Sequence, residues 1–176
     1  MAAPVITYWN ENATAEIGGI DPQTNQPRVG WAIGEIDAGT ESEHFKFTIW
    51  NNKGGNGSDV SHAKNVKITT VNTTGSSAAN DLISGKWVHV IVNGEGIGQA
   101  IGGYNDAQND DNQANVWAVG IDNPAVNGYV IHGTGNDGIK ANSPNNFAAV
   151  EAWVSVPANA NEGAKPFLIR TSYSYT

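Results

Sequence analysis

The sequence predicts an all-β fold: a single antiparallel β-sandwich, immunoglobulin-like or jelly-roll-like, of about nine or ten strands joined by long polar loops. Three observations carry this. Apolar and polar residues alternate with period two along several segments, and no segment shows helical periodicity. Charged residues make up only 15% of the 176 positions, against the usual quarter, so the long charged side chains of a helical bundle are missing. Turn formers are plentiful, with 21 Gly and a comparable number of Asn. Hydrophobic residues, at 39%, are somewhat scarce. Even so, six Trp, five Tyr and four Phe supply the aromatic mass that disordered chains lack.

The strands follow in chain order. Residues 5–9 and 31–36 read as weak strands. Residues 44–50 set Phe45, Phe47 and Ile49 on one face, with Lys46 and Thr48 on the other. Residues 64–71 alternate around Val66 and Ile68. Residues 86–92 are apolar on both faces, the mark of an internal strand. Residues 115–121 align Trp117, Val119 and Ile121, and a weak strand covers 129–132. Two long stripes close the chain, one over 148–156 and one over 167–175, and they are expected to pair as a hairpin across 157–165. Runs rich in Gly, Asn, Asp, Ser and Pro separate the strands and permit turns. Residues 1–10 form an N-terminal arm or first strand, and 11–176 form one β-sandwich domain.

Composition also narrows function. A net charge of −8 with no basic cluster repels a phosphate backbone, so nucleic acid is not expected as a partner. No apolar run reaches the ~18 residues of a membrane span, and no signal-peptide pattern opens the chain. Cysteine is absent, which removes disulfides, cysteine zinc sites and thiol catalysis. His44, His62, His89 and His132 fall in no metal-ligand spacing, and no nucleophile elbow anchors a triad. Gly94, Gly96 and Gly98 imitate a dinucleotide loop, but Gln99 follows and no helix opens there; a flexible interstrand loop is expected. Asp106, Asn109, Asp110, Asp111 and Asn112 offer oxygens to calcium without the EF-hand's glycine and terminal glutamate. Glycosylation sequons at Asn12, Asn56 and Asn72 arise readily in so Asn-rich a chain. No catalytic, cofactor or metal site is therefore expected. Trp50 and Trp87 are expected in the core, whereas Trp9, Tyr173 and Tyr175, near the chain ends, suit an interface.

Several runs together resemble a known group. They are Trp31–Gly39, Phe45–Asn52, Asn65–Thr70, Val154–Ala160 and Phe167–Arg170. The chain resembles small β-sandwich structural proteins of tailed phages and prophages of Gram-positive bacteria, some of which decorate capsids. The resemblance implies a non-enzymatic virion protein, made without a signal peptide, that binds the major capsid protein or another virion protein and can self-associate. Tail tube, neck or fibre protein is one alternative, and a carbohydrate-binding module is another. The apolar N-terminal segment, with Val5, Ile6, Tyr8 and Trp9, is the expected partner contact.

Overall fold

A computed structural model describes residues 1–20, 27–31, 33–55, 57–71, 80–93, 95–101, 114–115 and 130–176. The strands are β1 (Ile6–Asn10), β2 (Gly18–Ile20), β3 (Pro27–Gly30), β4 (Phe45–Asn51), β5 (Lys64–Val71), β6 (Val88–Val92), β7 (Glu95–Ile101), β8 (Ala114–Asn115), β9 (Phe147–Val154) and β10 (Leu168–Ser174). Among the described residues the helical content is a single turn, α1 (Asp81–Ser84). The strands form two antiparallel sheets, ordered β1-β4-β9-β6-β7 and β2-β3-β10-β5-β8. The fold is all-β, as the alternation predicts.

Alternation places the core. On β9, Ala148, Val150, Ala152 and Val154 are buried, and they pack in one cluster with Phe47 and Ile49 of β4. Val66 and Ile68 of β5 and Ile169 of β10, from the other sheet, belong to the same cluster. Each of the Val, Ile and Phe side chains contributes about 1.5–3 kcal/mol by leaving water. Strand β6 has partners on both sides, β9 and β7, as expected from its two apolar faces. The opposite face of the first sheet carries a smaller cluster. Trp50 stacks on its cross-strand partner Phe147 with ring centroids 4.7 Å apart, flanked by Ala13 and Trp9. This cluster buries Trp50 completely, although the residue points away from the main core.

The expected hairpin between the last two stripes does not form. Strand β9 pairs with β4 and β6, while β10 pairs with β3 and β5 in the other sheet. The cause lies just after β9. The Ser155 amide donates to Trp87, Glu41 bridges to Ser155, and Val156 exchanges hydrogen bonds with Gly39 and Thr40. The chain is held in its own sheet beyond Val154 and cannot fold straight back. The chain continues to β10 in the second sheet, whose Ile169 belongs to the same core cluster as Val150 and Val154.

Three further expectations change. Residues 31 and 33–36 form no strand; Gly34 takes a positive φ of 86°, which breaks the extended run. Of the glycine-rich run expected as a flexible loop, Gly96 and Gly98 lie on β7, which pairs with β6, while Gly94 lies outside the described residues. Helix α1 was not expected, although its signal is present: the Asn80 side chain accepts from the Ile83 amide as an N-cap. In the expected strand over 129–132, Val130 and Ile131 are buried, and Ile131 makes an isolated bridge to Ala63. Residues 116–121 and 129, the candidate calcium loop over 105–112, and the sequon residues Asn56 and Asn72 lie outside the described residues.

Candidate interaction surfaces

The N-terminal segment is built into the fold. Ala2 bridges to Val60, and its carbonyl accepts from the Ser61 amide at 2.8 Å. The Val5 amide donates to Asn51 Oδ1 at 2.9 Å, and the Val5 carbonyl accepts from Asn52 at 2.8 Å. Asn51 is fully buried, and its Nδ2 donates to the carbonyls of Ser61 and Ile131, both at 3.0 Å. A buried carboxamide is tolerated only when its donors and acceptor are used in this way. Asn51 thus ties the N-terminus to two other segments at one end of the sheets.

This placement corrects half of the expected contact set. Ile6 and Tyr8 are buried in the chain's own core, and period-two geometry turns them both inward from β1. Neither is available to a partner. Val5 remains 49% exposed. Trp9 is half-buried, with Lys53 Nζ 3.9 Å from its ring centroid, a cation–π contact. Strand β1 is a sheet edge. The Tyr8 carbonyl accepts from Ile17, and the Asn10 amide donates to Ala15, each at 2.9 Å. These two bonds cover the far half of the edge. Nearer the N-terminus, the outward N–H and C=O of Ile6 have no partner among the described residues, and exposed Val5 adjoins them in the chain. At the other chain end Tyr175 is exposed and Tyr173 half-buried, with burial raising the Tyr173 hydroxyl pKa.

The four histidines stack in two groups. On the outer face of the first sheet, the His44 and His89 rings flank Trp153 at centroid distances of 4.7 Å and 5.5 Å. Trp153 lies on β9, between β6, which carries His89, and the residue leading into β4, His44; it is buried against both rings and is not open for stacking on a sugar. His44 also bonds Glu151, and Lys46 lies 3.8 Å from the same carboxylate. The His44 hydrogen bond is the main reason that Glu151 sits below the usual carboxylate range. His62 stacks on His132 at 4.4 Å, and its Nδ1 accepts from the Gly133 amide at 3.1 Å. Among the described residues, no three His, Asp or Glu converge to hold a metal ion.

A cleft of about 890 Å³ opens at the other end of the sheets. Its floor is the core itself: Leu82, Trp87, Val154 and Phe167, all buried. Trp31, Ile33, Ile36 and Val156 form half-buried walls. The rim carries Glu35, Asp37 and Glu162, all exposed, together with Lys165. Lys165 is committed to Asp81 at 3.0 Å, and that contact holds the Asp81 carboxyl below its ordinary range. Composition and alternation did not point to this cleft, because its residues come from three segments distant in sequence.

No family model, no curated protein and no solved structure matches this chain.

Proposed function

We propose that the chain is a non-enzymatic virion structural protein of a tailed phage or prophage, and that it decorates the outside of the capsid. The observation that carries this reading is the half-open edge of β1. Backbone at Ile6 without a partner among the described residues, with Val5 exposed next to it in the chain, is a surface on which a neighbouring chain can add a strand or bury apolar area. The β-sandwich packing of the two sheets gives that edge a rigid mount, held from within by Asn51. An acidic, polar exterior suits a particle that must stay dispersed.

The physical role would be that of a clamp. A protein that binds the assembled lattice but not its separated subunits stabilises the lattice by linkage, in proportion to the logarithm of its concentration over Kd. The experiment is to purify particles made by the genome that encodes the chain, with the gene intact and deleted. Mass spectrometry should find the chain in the intact particles, and particles without it should open at lower temperature. If the chain is missing from purified particles, the proposal fails.

A further inference from the structure

We infer that the cleft at the Trp31–Trp87 end binds an extended peptide segment of a partner protein, one with alternating apolar side chains and at least one Lys or Arg. This inference does not depend on the virion reading, because the cleft would serve any partner with such a segment.

Three features converge on it. Residues 31–36 carry a strand-like pattern in sequence, yet residues 33–36 make no backbone hydrogen bond to any described residue. Residues 33–36 line one wall of the cleft, and backbone that is not bonded within a sheet can pair with an added peptide. The floor is apolar and continuous with the core, since Ile33, Ile36 and Val156 pack on the main cluster, so side chains on one face of an inserted strand would meet a preformed apolar surface. The rim is negative: Glu35, Asp37 and Glu162 form no ion pair among the described residues, while Lys165 already serves Asp81. An incoming cation is attracted, and an acidic segment is rejected. An extended peptide satisfies all three features at once, with backbone for the open wall, alternate apolar side chains for the floor and a basic side chain for the rim.

Selection of short random linear peptides on the full chain tests this, with the Ile36→Asp variant as counter-target. Matched thermal unfolding of the two proteins serves as the folding control. The expected winners alternate apolar residues and carry Lys or Arg. A synthetic representative should shift tryptophan fluorescence on binding. Its affinity should fall about tenfold on a Glu35→Lys, Glu162→Lys double variant, whose changes are on the surface. It should also be lost when alternate peptide amides are N-methylated. The inference is overturned if no peptide distinguishes the chain from Ile36→Asp, if binders show no preference for basic residues, or if N-methylation is without effect. Oligosaccharide binding that is lost in Ile36→Asp would overturn it too, and would assign the cleft to a sugar.

Discussion

The hydroxyl of Tyr8 donates to Thr171 Oγ1 at 2.7 Å across 163 residues of sequence. Both residues are 1% exposed. Tyr8 lies on β1 and Thr171 on β10, so this bond joins an edge strand of one sheet to an interior strand of the other. Burial drives the Tyr8 hydroxyl pKa far upward, so it remains a neutral donor throughout the ordinary pH range. Tyr8→Phe leaves the Thr171 hydroxyl without this donor and should cost about 1–2 kcal/mol. Thr171→Val should cost a similar amount. The double variant should lose less than the sum, with a coupling of about 0.5 kcal/mol or more in urea denaturation. Strict additivity would show that the bond contributes nothing.

Removal of residues 1–9 should abolish cooperative unfolding. The deletion takes away Ile6 and Tyr8, the four pairings of β4 with Ile6 to Trp9, the Val5 amide that donates to Asn51 and the Val5 carbonyl that accepts from Asn52. A free arm would instead leave a truncated protein with an undiminished denaturation midpoint. Circular dichroism during a urea titration separates the two.

Gly133→Ala should be among the most damaging single substitutions. An added Cβ would lie 2.5 Å from the Val60 carbonyl oxygen and 2.6 Å from that of Ser61. Both obstacles are backbone, and Val60 is itself bonded to Gly133, so neither can swing aside. A loss of about 2 kcal/mol or more is expected, as for overpacked sites. A midpoint within error of the parent would contradict the close approach.

Glu151 sets a small acid-side dependence. His44, then Lys46, hold its carboxyl below the ordinary value of 4.5. A depressed folded pKa stabilises above the unfolded value and loses that contribution as pH falls through the folded one. The side chain is 32% exposed, so the contribution is at most about 1 kcal/mol. Glu151→Gln should therefore be slightly less stable than the parent at neutral pH, and the two stability curves should converge as pH drops below about 4. A constant gap down to low pH would contradict the assignment.

Legibility in the sequence followed local periodicity and stopped where contacts became long-range. Strand β5 was readable to its ends because Val66 and Ile68 alternate with polar neighbours. Strand β6 was readable as internal because Ile91 and His89 back its valines. Strand β7 was hidden because Gly94, Gly96 and Gly98 suggest a turn, whereas pairing with β6 supplies the order. The partners of β9 and β10 were not readable, since two stripes of the same period fit a hairpin as well as a place in separate sheets. The bonds of Ser155 and Val156 decide between them, and these join residues far apart in the chain. Likewise Ile6 and Tyr8 look like any apolar arm until Phe47 and Thr171 are placed against them. The cleft draws its walls from 31–38, 82–87 and 154–167, a grouping that only the folded chain makes.

A reconstruction of the native particle tests most directly the proposal that the chain is a particle-bound structural protein. Density for the two-sheet fold is expected at regular positions on the outer capsid lattice, with the Ile6 end of β1 against a neighbouring chain. A capsid exterior without such density, in particles shown to be complete, would contradict the decoration role. Density only in the tail would reassign the chain to another virion component.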